Sequence, residues 1–255
     1  MAGLMILGFC FLEKEKIWLG CLCIALTVYI KLFGLVAFAL FLVYQKKGKF
    51  ILVSATWMIV LALLPLLVVS FEQLQFLYIS WWNMLSNDHS VSYGLSVMGV
   101  AESWLGVGFL KNEIVLLGVV LFCLPLLKIK SYSNFEFRWR LLVSILLWVV
   151  VFNHKAESPT FIIAMCGVGM WYFFPPSFGH PQRGSRKNNT NLILVILAFI
   201  FTSLSPTDLF PRVIRENIVM PFVLKAVPCI LIWGKLIWEM WFLEHGEFGN
   251  HHVLE

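Results

Sequence analysis

The chain has 255 residues, of which 60% are hydrophobic and 13% are charged, and its formal net charge is +5. A water-soluble domain is about 45–50% apolar and about 25% charged, so this composition excludes an ordinary soluble domain and predicts a polytopic membrane protein. The basic residues lie in short segments between apolar runs, a pattern that the excess of Lys and Arg in cytoplasmic loops explains. We therefore expect membrane lipids, and no nucleic acid, among the partners of the chain.

Apolar runs predict an all-α domain over residues 1–243, built as a polytopic bundle of transmembrane helices. The first run is only a dozen residues long, which is below the ~20 residues that a spanning helix needs. The predicted helices lie near residues 1–12, 17–44, 50–71, 114–127, 139–152, 159–174, 192–204 and 218–243. Residues 244–255 are predicted to be a disordered tail.

Residues 72–113 form the longest segment without a spanning run. They combine aromatic residues, such as Trp81 and Trp82, with a Gly- and Ser-rich stretch at 90–99. Aromatic amphipathic helices favour the boundary between lipid and water. We predict an interfacial loop with one or two helices that lie along the membrane surface.

Clusters of Lys and Arg predict the orientation of the chain. The clusters at 46–49, 128–140 and 183–187 alternate with connecting segments that hold fewer basic residues. Because cytoplasmic loops are enriched in Lys and Arg, these clusters and the C-terminus are predicted to be cytoplasmic. The segments then predicted on the opposite side are the turn at 13–16, the loop 72–113, the segment 153–159 and the connector 205–217.

A polar segment, Asn153–Pro159, separates two strongly apolar runs and contains His154, Lys155 and Glu157. Ionisable side chains are costly at or just inside a membrane surface, so three of them together favour a functional site. A short solvated turn between two membrane helices explains the segment equally well. The residues alone leave both interpretations open.

Two further polar segments are predicted on the same side of the membrane. One connector contains Asp208, Arg212 and Arg215, and the long loop contains Asp88 and His89. Arginine forks match phosphate oxygens, and a carboxylate or histidine can act as a general base. Together the three segments predict a site for an anionic, lipid-linked substrate. In the alternative interpretation, the arginines extend to lipid headgroups and Asp208 caps a helix.

Lys31 lies in the middle of the predicted helix 17–44. A lysine is expensive at that depth unless it is paired or faces a cavity, so we predict a functional or buried-pair role rather than exposure to lipid. The six cysteines all lie inside apolar runs and lack the spacing of metal ligands. We therefore expect no metal site, although the carboxylates of Glu157 and Asp208 leave a metal as an open alternative.

Two segments resemble bacterial members of glycosyltransferase family 87. One is Phe152–Phe161 with the apolar run that follows it, and the other is Leu204–Arg212 with Pro221–Ala226 downstream. Tyr29–Phe33 and Ser96–Gly99 are similar to two further landmarks of that family. The resemblance covers nearly the whole chain.

The resemblance implies a helical fold like that of the C-type membrane glycosyltransferases, with an inverting transferase activity. Members move a hexose, typically mannose, from polyprenyl phosphate to a glycan or lipid acceptor on the extracytoplasmic side, so a multi-pass protein of the bacterial inner membrane without a cofactor is expected. Their catalytic carboxylate lies in an early outer loop without a counterpart here, so the chain is expected to be N-terminally incomplete. The alternative is an inactive or truncated homologue that serves as a scaffold or as a component of a lipid-linked-glycan transporter.

Under this resemblance the polar residues divide into two groups, which are expected to meet in one cavity on the non-cytoplasmic face. The predicted catalytic residues are His154, Glu157 and Asp208. The predicted phosphate- and substrate-binding residues are Lys31, Asp88, His89, Lys155, Arg212 and Arg215.

Overall fold

The computed structural model describes residues 1–87, 93–173 and 189–242, and the regular structure within these ranges is entirely helical. This confirms the predicted all-α class. The α-helices are α1 (Ala2–Glu13), α2 (Ile17–Ile30), α3 (Lys47–Leu63), α4 (Phe71–Ser86), α5 (Val97–Leu105), α6 (Lys111–Cys123), α7 (Phe135–Val151), α8 (Phe161–Phe173), α9 (Asn189–Leu197), α10 (Arg212–Ile214) and α11 (Val227–Phe242). The predicted tail, 244–255, lies outside the described residues.

Two helical segments among the described residues are long and apolar enough to cross a membrane. They are Lys47–Leu67, of 21 residues, and Gly108–Leu127, of 20 residues. Each ends in a 3₁₀ turn that contains a proline, Pro65 in the first and Pro125 in the second, because proline cannot donate the hydrogen bond that would continue an α-helix. The other apolar helices are shorter.

The predicted single helix 17–44 is wrong, because the chain turns back at Lys31. Helix α2 ends at Ile30, Lys31 is extended at φ −154° and ψ 133°, and a 3₁₀ segment follows over Leu32–Val43. This segment packs closely against α2, since a Cβ on Gly34 would lie 2.5 Å from the carbonyl carbon of Thr27. A run of 28 residues exceeds the ~20 that one span requires, and the chain breaks at its only charged residue.

The turn-back also places Lys31 differently from the prediction. Its side chain is exposed at the break between the two helices, with Nζ 5.4 Å from the centre of the Phe33 ring. It lies neither in mid-helix nor in a buried pair, so the predicted buried pair is wrong, whereas its predicted role in phosphate binding stays a prediction. Its charge stays exposed at the surface, where the nearby Phe33 ring adds a cation–π contact.

One end of the molecule, which we name the basic end, gathers Lys46, Lys128 and the start of α7. There the Tyr44 hydroxyl donates to Glu13 Oε1, and Lys46 Nζ lies 2.8 Å from Glu15 Oε2. The turn at 13–16 therefore lies beside the basic segment 46–49, and its predicted position on the opposite side is wrong. The hairpin at Lys31 is the reason, because it adds one reversal of direction to the chain.

Helix α7 forms the centre of the core. Its side chains from Leu141 to Leu147 are almost fully buried, as expected of a helix that is apolar all round. It packs against α8, α11 and the 3₁₀ segment Leu32–Val43. Its one buried hydroxyl there, Ser144 Oγ, accepts a hydrogen bond from Trp233 Nε1 at 3.0 Å. Helix α7 therefore carries the chain from the basic end to the segment that begins at Asn153.

The predicted helix 218–243 is only partly right. Helix α11 begins at Val227, with Pro228 as its second residue, where the missing N–H of proline is harmless. Before it lie a π-helical turn, Arg215–Val219, and an irregular stretch in which Val223 has φ 52°. Pro221 removes a helical hydrogen bond in this stretch, which explains why an apolar sequence is not a regular helix there.

Two helices occur within the predicted interfacial loop, as expected. Helix α4 is capped by Ser70, whose Oγ accepts from Gln73 N at 3.3 Å, and its aromatic residues are largely exposed. The Tyr78 hydroxyl joins it to α3 by donating to the Ala62 carbonyl at 2.8 Å. Exposed Trp and Tyr beside a membrane-length helix are typical of the lipid–water boundary, and the position of α4 on the membrane stays a prediction.

Replacing Arg138 with methionine is expected to lower the unfolding free energy by about 3 kcal/mol. Arg138 Nε lies 2.7 Å from Glu13 Oε1, the two side chains are only 16% and 19% exposed, and the replacement leaves the carboxylate without its partner. Thermal unfolding in detergent measures the effect. The matched control is Lys46→Met, which breaks the exposed pair with Glu15 and should leave the melting temperature nearly unchanged. Equal shifts for the two variants would contradict this assignment.

Candidate functional site

The polar segment after α7 folds into a compact turn, which we name the motif loop (residues 153–157). Asn153 Oδ1 accepts from the Lys155 amide at 3.0 Å, and the Asn153 carbonyl accepts from the Ala156 amide at 2.9 Å. Asparagine favours such local side-chain-to-backbone bonds. His154 is half-buried, whereas Lys155 and Glu157 are exposed. The loop thus presents its carboxylate outward and holds its imidazole partly against the protein.

A second segment, Tyr93–Leu95, packs directly against the backbone of the motif loop. The Leu95 amide donates to the Ala156 carbonyl at 3.2 Å. Gly94 has φ +54°, and a Cβ at that position would lie 2.3 Å from the His154 carbonyl oxygen. Only glycine tolerates this conformation and this approach together. Gly94 is not among the predicted site residues, although a glycine in a short polar stretch is a signal of close backbone contact.

A third segment reaches the same place from the stretch before α11. Lys225 is only 1% exposed, and its Nζ donates to Ser158 Oγ, just after the motif loop, at 2.8 Å. Helix α5, which follows Leu95, contacts the same stretch through Trp104 Nε1, which donates to the Phe222 carbonyl at 2.8 Å. Three separated parts of the chain therefore meet at one end of the molecule, which we name the motif end.

Lys225 is a functional candidate that is absent from the predicted site residues. It is a single lysine in an apolar stretch between Leu224 and Ala226. The same signal drew attention to Lys31, but only Lys225 is buried. Sequence alone could not separate the two, because burial depends on which segments pack around each lysine.

The half-buried imidazole of His154 is held in its neutral form. Burial lowers the pKa of His154 below its ordinary value, and the nearby positive charge of Lys111 lowers that pKa further. Both effects disfavour the imidazolium ion. At neutral pH His154 is therefore able to accept a hydrogen bond or a proton.

The amide of Asn153 adds an unpaired donor to the site. Its Nδ2 atom is buried and has no hydrogen-bond acceptor among the described residues. Buried donors are nearly always paired in folded proteins, so this one is a candidate contact for an oxygen atom of a ligand.

The other predicted site residues are not joined to the motif loop by any contact among the described residues. Arg212 Nε lies 2.6 Å from Glu216 Oε1 in an exposed pair within the connector. The Asp208 side chain is exposed and bonds to no described residue, and α10 is preceded by Pro211 and has no side-chain cap. The proposed cap by Asp208 is thus not observed, and the shared cavity for Asp208, Arg212 and Arg215 stays a prediction. Asp88 and His89 lie outside the described residues.

An apolar groove of about 450 Å³ runs between α6 and α11 and begins at Phe152, directly before the motif loop. Its volume is in the range of small-molecule sites. The lining is almost wholly apolar and ends near Lys235, toward the basic end. Lys235 pairs with Glu239 at 3.4 Å, one helical turn further on, as the i,i+4 spacing favours. The groove is lined by Val97, Ile114, Leu117, Gly118, Leu121, Phe152, Ile230, Leu231, Trp233, Gly234 and Lys235.

Replacing Lys111 with glutamine is expected to move the acid limb of the pH–activity profile to higher pH. The wild-type limb should lie below the ordinary histidine value of 6.5, since the pKa of His154 is lowered by burial and by Lys111. Removing the lysine charge raises that pKa, so His154 becomes protonated, and activity falls, at a higher pH than in the wild type. Transfer rates across the acid range measure the shift. Lys49→Gln, an exposed change at the basic end, is the control, and an unmoved limb in Lys111→Gln would refute the role of His154.

Comparison with known proteins adds the family. The sequence model of glycosyltransferase family 87 matches residues 1–152, which cover α1 to α7 and end immediately before the motif loop. No curated protein and no solved structure matches the chain significantly. The matched range is more than half of the 255 residues, and it is independent of the motifs after Phe152 that first suggested the resemblance. The chain therefore belongs to glycosyltransferase family 87.

Proposed function

We propose that the chain transfers a hexose, with mannose as the first candidate, from a polyprenyl phosphate to a glycan or lipid acceptor. Family membership supports glycosyl transfer as the chemistry. The lipid-linked donor is supported by one observation above all, which is that an apolar groove opens beside a loop that carries His154, Lys155 and Glu157. The apolar isoprenoid chain would occupy the apolar groove, and the anionic phosphate would contact the positively charged side chains of the loop.

The groove and the polar loop suit the two halves of such a donor. Each Å² of isoprenoid surface that leaves water contributes roughly 25 cal/mol, and the lining is leucine, isoleucine, valine, glycine and aromatic side chains except for Lys235 at its far end. Three lysines supply positive charge around the motif loop: Lys155 lies within it, Lys111 lies near His154, and Lys225 Nζ contacts Ser158 just after it. Lysine binds phosphate as a point charge.

In the proposed reaction, Glu157 accepts the proton of an acceptor hydroxyl as that oxygen attacks the anomeric carbon of the hexose. The bond between the anomeric carbon and the phosphate oxygen breaks, and its electron pair leaves with the polyprenyl phosphate. The lysines stabilise the negative charge of the departing phosphate. Neutral His154 accepts a hydrogen bond from a sugar hydroxyl and so orients the ring.

The proposed location is the bacterial inner membrane, with a multi-pass arrangement in which the basic end faces the cytoplasm. Two helices of membrane length support a membrane protein. The gathering of Lys46, Lys47, Lys49, Lys128 and Lys130 at the basic end supports the orientation. The motif end then faces the extracytoplasmic side, where lipid-linked sugars would be used.

A donor-competition assay tests this function. The purified chain in lipid nanodiscs is given a radiolabelled hexose, either on polyprenyl phosphate or on a nucleoside diphosphate, together with a membrane-derived acceptor. We expect label to move to the acceptor from the polyprenyl donor only. Transfer from the nucleotide sugar alone would contradict the proposal. Binding of the polyprenyl donor without any transfer would instead favour the inactive homologue that acts as a scaffold or transporter component.

A further inference from the structure

Lys225 is a buried ammonium group that has no oppositely charged partner among the described residues. It is 1% exposed, and its Nζ atom forms no ion pair with any carboxylate in the part of the chain that the structure describes. Its contacts are the neutral hydroxyl of Ser158 at 2.8 Å and the face of Phe161, whose ring centre lies 5.5 Å away. Neither contact compensates a full charge as a carboxylate would.

A buried ammonium group without a carboxylate partner destabilises the folded protein. An isolated buried charge remains strongly destabilising even after the protein relaxes around it, and an apolar side chain of similar volume would fill the space without that penalty. A structural role for Lys225 would therefore be served better by methionine. A lysine at position 225 is explained if its positive charge acts on a ligand that the protein binds.

The backbone around Lys225 is also held in an unusual shape. Val223 has φ 52°, a left-handed conformation that is a genuine outlier for a β-branched residue. Thr202 lies in the π-helical turn Ala198–Leu204, and its hydroxyl donates to the Lys225 carbonyl at 2.8 Å. Strained residues and π-turns concentrate at functional sites. Two independent irregularities thus fix the position of this one lysine.

The hydrogen bond from Lys225 to Ser158 indicates that the lysine charge acts through the Ser158 hydroxyl. An ammonium group can only donate, so Ser158 Oγ accepts from Lys225 and keeps its own O–H free to donate elsewhere. Ser158 is half-buried and directly follows Glu157. Its hydroxyl, polarised by the lysine behind it, therefore forms a donor at the edge of the motif loop.

We propose that Ser158 and Lys225 form the phosphate-binding pair of the donor site. The Ser158 hydroxyl donates to a phosphate oxygen of the lipid, and Lys225 supplies the balancing positive charge from within the protein. Ser158 is thus a substrate-contacting residue, and Lys225 is a positioning residue that acts through it. This inference rests on the proposed lipid-phosphate donor and names the residues that would recognise its anionic group.

The test compares three ligands on the full chain in nanodiscs, with intrinsic tryptophan fluorescence as the readout. The ligands are polyprenyl phosphate, the uncharged polyprenol of the same length, and inorganic phosphate. Lys225→Met should weaken polyprenyl phosphate binding about tenfold or more and leave polyprenol binding unchanged. Ser158→Ala should show the same selectivity with a smaller loss, and Lys225→Arg should retain most of the affinity. Lys46→Met, which removes an exposed lysine at the basic end, should change neither.

The outcomes separate this inference from the proposed function. If Lys225→Met and Ser158→Ala bind polyprenyl phosphate as tightly as the wild type, the inference is overturned while the lipid donor stands. If the wild type binds polyprenyl phosphate no better than polyprenol, the lipid-phosphate donor itself is contradicted. If inorganic phosphate alone binds as tightly as the lipid, the site recognises a free anion and the lipid donor is again contradicted. A purely structural role predicts equal losses for both lipids and a lower melting temperature in Lys225→Met, which would also overturn the inference.

Discussion

Glu157→Gln is expected to lower the rate of hexose transfer by about 100- to 10,000-fold, the usual contribution of a general base. The Glu157 carboxylate is exposed on the motif loop, and its side chain has no hydrogen bond or ion pair with any residue between 1 and 87, 93 and 173, or 189 and 242. It is therefore available to take a proton from an acceptor. Glutamine keeps the shape of the side chain and removes only its basicity.

Initial rates with a labelled polyprenyl-phosphate hexose measure the effect of Glu157→Gln. Donor binding should stay close to that of the wild type, because the substituted group acts on the acceptor. Glu15→Gln removes the same group from an exposed site at the basic end and should transfer at the wild-type rate. A Glu157→Gln protein that is fully active would remove Glu157 from the mechanism.

Gly94→Ala is expected to abolish transfer by separating the segment Tyr93–Leu95 from the motif loop. The left-handed backbone costs about 1–2 kcal/mol for a residue with a Cβ. In addition, the new Cβ would lie 2.3 Å from the His154 carbonyl oxygen, a backbone atom that cannot rotate away. The hydrogen bond from the Leu95 amide to Ala156 should break as a result, and the position of His154 should change with it.

Gly106→Ala is the matched control for this variant. Gly106 also has a positive φ, of +66°, but a Cβ there would meet nothing within 4 Å. Gly106→Ala therefore measures the cost of a Cβ at a positive φ without the clash with a neighbouring backbone atom. We expect Gly106→Ala to lose some stability and to retain transfer, whereas Gly94→Ala loses both. Similar activities in the two variants would show that the contact with His154 is unimportant.

Local sequence signals predicted those parts of the site that lie within one continuous segment. The motif loop is recognisable because polar residues between two apolar runs must leave the helix, and Asn153 stabilises the resulting turn by its own side chain. The helical class follows equally directly from long apolar runs without alternation. The match of the family model to residues 1–152 supports the glycosyltransferase family 87 assignment from a different part of the chain than the motif loop.

The wrong predictions concern features that depend on how a long apolar run folds or on which lysine becomes buried. An apolar run of 28 residues can form one tilted helix or a tight hairpin, and the choice depends on packing such as that between Gly34 and Thr27. That single reversal changed the side assigned to the turn at 13–16. Likewise, the sequence cannot show that Lys225 is buried and Lys31 exposed, since the segments that enclose Lys225 come from distant parts of the chain.

Locating the bound donor by photo-crosslinking is the most direct test of a polyprenyl-phosphate site at the motif loop. A polyprenyl phosphate that carries a photoreactive group near its phosphate is irradiated with the chain in nanodiscs, and the labelled peptides are identified by mass spectrometry. We predict labels in residues 153–159 and 221–226, and labels in α6 and α11 when the reactive group is placed along the isoprenoid chain. Labels confined to the basic end, around Lys46 and Lys128, would contradict a donor site at the motif loop.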